Sequence, residues 1–323
     1  MISKELKVLE ILNKDSSSTQ RDIAEKADIS VGNVNYIIKK LFEGELIKIQ
    51  KISRKSYYMV TDKGIEALEE HLKTSIDKKI IIPQGEGRRV NQAVILAAGQ
   101  RAGFDMPVGF LKLGDTTVIE RTINILKKQG IGKIIIITGY ESNYYKELAE
   151  RYEVQLVNNE KYKYSGTMYS LALVEELVDE DFILIESDLI FEEKAIAEII
   201  GNENRDCVLI TSESGSGDEV LVEIRNGFLF KISKDIHAFS NIEGEMIGIT
   251  KISIDIYNKM LEDFRGSNNA YQNYEYVLLD VARTYNIGYV KLEDLIWTEI
   301  DTTRDYKNLT NYVYPILKEK EKS

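Results

Sequence analysis

Short apolar runs that end in glycine and alternate with amphipathic stretches constrain this chain more than any other feature. Asn91-Gln-Ala-Val-Ile-Leu-Ala-Ala-Gly99 reads as a strand running into a loop, with a helix predicted near Val118–Gln129 behind it. Ile131-Gly-Lys-Ile-Ile-Ile-Ile-Thr-Gly-Tyr140 repeats the strand and loop, followed by a helix over Tyr144–Tyr152. Val154–Val157 and Asp181–Asp188 supply further strands. Strands that alternate with helices predict an α/β fold with a doubly wound, mostly parallel sheet. Such sheets bind ligands beyond the carboxyl ends of their strands, where Gly99, Thr138-Gly139 and Asp188 fall. Small residues after the first strand let backbone N–H groups approach phosphates closely.

Composition narrows the class. With 323 residues the chain has room for two domains. No run of about 18 apolar residues is present, which excludes a transmembrane helix. Met1-Ile-Ser-Lys-Glu-Leu-Lys7 is charged where a signal peptide would be apolar, so a cytoplasmic location is expected. The single cysteine, Cys207, excludes an internal disulfide and a cysteine-cluster zinc site, and two histidines, His71 and His237, speak against a histidine-rich metal site. Residues 1–90 carry 17 Lys and Arg against 14 Asp and Glu, net +3, whereas the remainder carries 25 against 39, net −14. That asymmetry predicts two domains of different chemistry, the first of them able to meet nucleic acid.

The predicted organisation is a first domain over residues 1–75, a linker over 76–90 and a second domain over 91–323. Residues 4–13 form an amphipathic helix with Leu6, Val8, Leu9, Ile11 and Leu12 on its buried stripe. Asp15-Ser-Ser-Ser-Thr19 makes a turn in which Ser18 or Thr19 caps a helix over Gln20–Ala27. Ser30 caps the next helix, about Val31–Glu43, with Val34, Ile37, Ile38 and Leu41 inward. Leu46–Gln50 and Ser56–Val60 read as two strands around the basic tip Lys51–Lys55, and a helix over Thr61–Leu72 closes the domain. The linker contains Lys78-Lys79, Pro83, Gly85, Gly87 and Arg88-Arg89 with no sustained period.

Over residues 3–73 this pattern resembles a winged helix-turn-helix of the MarR type. The resemblance implies a small α+β domain whose second motif helix enters the DNA major groove while the wing meets the backbone. Carried over by position, Ser30, Asn33, Asn35, Tyr36 and Lys39 are candidates for reading bases, with Lys40, Arg54 and Lys55 as phosphate partners. Double-stranded DNA is the implied partner, read by a homodimer on two half-sites. The alternative for this domain is a protein-interaction or dimerisation winged helix.

The second domain resembles the nucleotidyltransferase superfamily, in particular bacterial choline-phosphate cytidylyltransferases. The motifs that carry the resemblance are Leu96-Ala-Ala-Gly99, Val118-Ile-Glu-Arg-Thr122, Thr138-Gly-Tyr140, Asn159-Glu-Lys-Tyr162, Gly166-Thr-Met-Tyr-Ser-Leu171, Glu186-Ser-Asp188, Ile232-Ser-Lys-Asp235, Gly244-Glu-Met-Ile-Gly-Ile249, Tyr274-Glu275 and Trp297-Thr-Glu-Ile-Asp301. It implies a Rossmann-like fold and transfer of a nucleoside monophosphate from a triphosphate, CTP above others, to a small phosphorylated acceptor such as phosphocholine. Asp188 matches the first metal carboxylate of the family and Asp301 the second, with magnesium implied. Leu96, Ala97, Ala98, Gly99, Gly139, Gly166 and Thr167 are the implied nucleotide-binding positions. Lys234 falls where the family carries a basic residue near phosphates; Tyr169, Tyr274, Glu275 and Trp297 form an aromatic and acidic set suited to a quaternary ammonium.

The glycine-rich loop departs from the family. Where the family reads Leu-Ala-Ala-Gly-x-Gly-x-Arg and then Pro-Lys, this chain reads Leu96-Ala-Ala-Gly-Gln-Arg-Ala-Gly103 and then Pro107-Val108. Arg101 from its shifted position, with Lys112 or Lys161 reaching in, is therefore the expected source of catalytic positive charge beside Asp188. Two functions follow. One is an active cytidylyltransferase of surface-polysaccharide metabolism joined to a DNA-binding domain. The other is a nucleotide-sensing domain without turnover that controls a winged-helix regulator, with a sugar-1-phosphate nucleotidyltransferase as a lesser alternative.

Overall fold

Side-chain caps mark where the first helices begin. In the computed structural model, which describes residues 4–52, 55–68, 90–267 and 269–321, α1 (Lys4–Lys14) is followed by α2 (Gln20–Ala27), whose N-cap Thr19 and third residue Asp22 exchange hydrogen bonds in a capping box. Ser30 accepts from the Asn33 N–H at 3.3 Å and caps α3 (Val31–Glu43). The wing is the antiparallel pair β1 (Ile47–Ile52) and β2 (Lys55–Val60), and residues 62–68 form helix α4. Leu9, Leu12, Ile23, Val34, Ile37, Leu41, Ile47 and Tyr58 close one core under these elements. Arg54 and most of the expected linker lie outside the described residues. The chain divides into two compact units, Met1–Lys79 and Ile80–Ser323.

In the second unit β3 (Gln92–Ala97) is buried along its whole length, as a strand covered on both faces must be. The hairpin β4 (Lys112–Leu113) and β5 (Thr116–Thr117) leads into α5 (Val118–Lys128). Thr117 and Glu120 form a capping box at that helix start, and the Thr117 N–H donates to Glu120 Oε2 at 2.8 Å. Because this cap is buried, water cannot replace it: Thr117→Ala is expected to lower the stability of this unit by about 1 kcal/mol, read as a lower denaturant midpoint at unchanged slope.

Strand β6 (Lys133–Thr138), helix α6 (Tyr145–Tyr152), β7 (Gln155–Asn158), α7 (Thr167–Ala172), β8 (Phe182–Glu186) and β9 (Leu189–Phe191) follow. The order β8-β3-β6-β7 is parallel throughout. Beyond them come α8 (Lys194–Gly201), β10 (Cys207–Thr211), β11 (Leu221–Arg225), β12 (Phe228–Ser233), β13 (Gly244–Ile252), α9 (Ile254–Ser267), α10 (Tyr274–Ala282), β14 (Gly288–Lys291), β15 (Trp297–Glu299), α11 (Thr303–Asn308) and α12 (Tyr314–Lys320). Strand β13 runs antiparallel beside β8 and carries β11 and β10, which extend the parallel core.

Alternation along the core strands builds two apolar layers. Ile95, Ile136 and Ile185 face α5, α6 and α8, while Val94, Ile135 and Leu184 face α7, α9 and α10. The β-branched runs suit strands that have no solvent face. The expected strand Asp181–Asp188 is β8 followed by a turn, and that turn carries Asp188. A smaller apolar cluster holds Phe104, Val108, Leu113, Ile190, Ile300 and Leu309, so Val108 is a packed core residue in the short helical turn Val108–Phe110. No described helix is long and apolar enough to cross a membrane.

Candidate functional site

The register of the parallel strands sets the floor of the site. Leu96 pairs with Glu186 and Ala97 with Thr138, so the carboxyl ends of β3, β6 and β8 lie level. Ala98 and Gly99 leave this edge, and the Ser187 N–H donates to the Leu96 carbonyl at 3.0 Å. A cavity of about 200 Å³ opens there, lined by Leu96–Gly99, Arg101, Val108, Tyr145, Gly166, Thr167 and Asp188 among others. Gly166 is required at its rim, because a Cβ would stand 2.4 Å from the Gln272 carbonyl. Its segment is stitched to the 270–274 stretch by Gly166 N–H to Ala270 O at 2.8 Å and Tyr274 N–H to Thr167 Oγ1 at 2.9 Å.

A second cavity of about 310 Å³ adjoins the first and shares Arg101, Thr167, Glu186 and Asn273 with it. Lys234, Tyr274, Glu275, Glu245, Glu299 and Asp301 also line it. Asp301 arrives by way of the ribbon β9–β15: Leu189 pairs with Glu299, and the Ile300 N–H donates to the Asp188 carbonyl at 3.1 Å. Two aspartates 113 positions apart in sequence thus flank one group, the Arg101 guanidinium. Its Nη2 lies 2.5 Å from Asp188 Oδ2 and its Nε 3.2 Å from Asp301 Oδ1. No cluster of three or more His, Cys, Asp or Glu side chains fit to hold a metal occurs among the described residues; two carboxylates converge instead.

Burial opposes the charge on Arg101, but Asp188, Asp301 and Glu186 outweigh it and hold the guanidinium above its ordinary range. Burial and the neighbouring Asp188 and Glu275 push Glu186 up, and burial with Asp301 and Asp188 pushes Glu299 up. Lys234 is raised because Asp218, at 2.8 Å, and Glu299 outweigh its burial.

Of the residues proposed from sequence, Leu96, Ala97, Ala98, Gly99, Arg101, Gly166, Thr167 and Asp188 come together in the first cavity, and Lys234, Tyr274, Glu275 and Asp301 in the second. Four fall elsewhere. Gly139 lines neither cavity; its bare Cα lets the loop pass Ala98, where a Cβ would be 2.7 Å from the carbonyl. The exposed Lys112 presents its carbonyl to the Tyr306 hydroxyl at 2.8 Å. Tyr169 lies beneath Lys161, whose Nζ is 5.7 Å from the ring. Trp297 is half-buried against the sheet core because β15 pairs it with Phe191. The aromatic set expected around an ammonium group is therefore reduced to Tyr274. Sequence reasoning missed Asn273 and Tyr145; Glu186, Glu245 and Glu299 stand inside the family motifs without a role.

In the first unit Asn33, Asn35, Tyr36, Lys39 and Lys55 are exposed. Ser30 is engaged as the cap of α3, and Lys40 is held by Glu5 on α1 at 2.5 Å. Lys39 lies 3.7 Å from Glu43.

Comparisons with known proteins agree with both units. Residues 93–238 match the MobA-like NTP transferase domain, and residues 3–48 match a winged helix-turn-helix DNA-binding domain. A choline-phosphate cytidylyltransferase of Streptococcus pneumoniae is 34% identical over 106 residues, 31% of this chain and 46% of that protein. A bifunctional IPC transferase and DIPP synthase of Thermococcus kodakarensis is 26% identical over 222 residues, 67% of this chain and 49% of that protein. The chain thus spans about half the length of these relatives. The inositol-1-phosphate CTP transferase of T. maritima superposes with a TM-score of 0.61 at 21% identity, covering 72% of this chain and 97% of that one, which shows a shared fold. The chain thus carries a match to the MobA-like NTP transferase domain over residues 93–238 and, ahead of it in sequence, one to a winged helix-turn-helix DNA-binding domain over residues 3–48.

Proposed function

We propose that the second unit transfers a cytidylyl group from CTP to a small phosphorylated amino-alcohol such as phosphocholine, and that the first unit binds double-stranded DNA in the cytoplasm as a homodimer, over the domain limits expected from sequence. One observation carries the enzymatic reading: Asp188 and Asp301 converge on a single positive centre at the boundary between two adjoining cavities. The first cavity, floored by the backbone of Leu96–Gly99, suits the nucleotide, and the second, with Lys234, Tyr274 and Glu275, suits the acceptor. An acceptor phosphate oxygen attacks the α-phosphorus, and the bond to the pyrophosphate leaving group breaks.

Hard carboxylate oxygens facing one cation fit Mg²⁺, with Asp188 and Asp301 as its protein ligands. When bound, magnesium neutralises phosphate charge in such a site. Arg101 supplies positive charge toward the triphosphate, and Lys234 orients the acceptor phosphate. The carboxylate of Glu275 attracts a cationic head group.

Val108, packed in an apolar cluster, and Lys112, outside both cavities, support a second reading. On it the domain binds nucleotide without turnover and adjusts DNA affinity. Pyrophosphate release with magnesium separates the two, assayed across four ribonucleoside triphosphates with phosphocholine, phosphoethanolamine and sugar-1-phosphates as acceptors. Release with CTP and an amino-alcohol phosphate supports the enzyme; nucleotide binding without release, with altered DNA affinity, supports the sensor.

For the DNA-binding unit, Asn35→Ala is expected to cost about 1 to 3 kcal/mol of discrimination at one base pair. Lys55→Ala should weaken all sequences alike and reduce the salt slope by about 1. Fluorescence anisotropy on duplexes selected from a random pool, at two salt concentrations, checks both.

A further inference from the structure

Tyr145, part of the lining of the first cavity, carries a polar group that the roles above leave unused. The side chain is fully buried at the first turn of α6, its ring packed edge-on against Phe110 with centroids 4.8 Å apart. The residue lines the cavity together with Val108, Arg101 and Asp188. A Cβ added at Gly109, next to Val108, would stand 3.7 Å from the Tyr145 hydroxyl, which fixes the hydroxyl beside this turn. That hydroxyl has no hydrogen-bond partner among the described residues.

A buried hydroxyl without a partner destabilises a fold, whereas phenylalanine would keep the ring, the packing and the volume at no such cost. The wall around it offers little else to an anion. Val108 and Pro107 are apolar, and the cavity's cation, Arg101, is already held by two aspartates. A ligand rich in acceptor oxygens, lying over the backbone of Leu96–Gly99, meets one free donor on this side.

We propose that the Tyr145 hydroxyl donates a hydrogen bond to a phosphate oxygen of the nucleotide held in the first cavity, as a neutral donor on a wall where Val108 provides none. This rests on the nucleotide reading given above. The bond forms only with ligand present, so the hydroxyl contributes to affinity and detracts from the stability of the ligand-free chain.

Tyr145→Phe tests this with two readouts that move in opposite directions. With magnesium present, calorimetric affinity for CTP is expected to fall about tenfold to 100-fold, the scale of one hydrogen bond to a charged group. Affinity for phosphocholine, assigned to the second cavity, should be unchanged. The ligand-free variant should melt about 2 to 4 °C higher than the parent. CTP affinity equal to the parent's, or a lower melting temperature in the variant, overturns the proposal and leaves the nucleotide reading standing. A parent protein that binds none of the four ribonucleoside triphosphates overturns both.

Discussion

Asp188→Ala is expected to lower pyrophosphate release by about 10² to 10³-fold, the scale seen when one preorganised stabilising group is removed. The residue is 8% exposed and stands directly after β8, where Oδ2 accepts from both Nε and Nη2 of Arg101 at 3.1 and 2.5 Å. Its removal would leave the proposed metal one of two carboxylates, and Arg101 would keep its ion pair with Asp301. Nucleotide affinity should change far less than turnover, because the backbone of Leu96–Gly99 that floors the first cavity is untouched. Steady-state rates beside calorimetric CTP affinities check this split. Turnover within about threefold of the parent would remove Asp188 from the mechanism.

The second large effect belongs to Arg101, the shifted cation of the glycine-rich loop. Arg101→Ala should also cost about 10² to 10³-fold in turnover. Lysine is not expected to rescue it, because a point charge cannot reproduce a planar group that faces two carboxylates at once. A distinct sign accompanies the loss. With the guanidinium gone, Asp188 and Asp301 are like charges without a counter-ion, so Mn²⁺ alone should bind the variant about tenfold more tightly than the parent, a gain of about 1.4 kcal/mol. The ligand-free variant should melt at lower temperature and recover on adding Mg²⁺. Paramagnetic titration and thermal melts read these effects; equal Mn²⁺ affinity in the two proteins would show that Arg101 and the metal do not compete.

Much of this architecture was legible because particular residues announce themselves. Thr19 and Ser30 stand immediately before helices that they do cap, and the isoleucine run of β6 is buried on both faces, as its lack of polar alternation foretold. The chain after residue 190 was harder to read. Strands such as β11 and β12 are short and only partly buried, so period-2 signals are brief and interrupted. Within the site, Asp188 and Asp301 were found through quoted motifs, since no spacing in sequence joins them. Trp297 misled because an indole serves equally as a cage wall or as packing, and its pairing with Phe191 decides for packing. Tyr145 gave no signal: it occupies an inward position of α6 beside Leu148, as any core aromatic would. The missing partner of its hydroxyl emerges only when the neighbours are known.

The ribbon of β9 and β15 imposes an order on how activity is acquired. Asp188 and the parallel strands are complete well before β15 is synthesised, yet the opposing carboxylate enters only when Trp297–Glu299 zips onto Leu189–Phe191. A nascent or proteolysed chain that lacks this strand lacks the second aspartate, whereas Leu96–Gly99 and Asp188 precede it in sequence. On the enzymatic reading proposed above, only a polypeptide that extends through residue 301 brings both aspartates to Arg101.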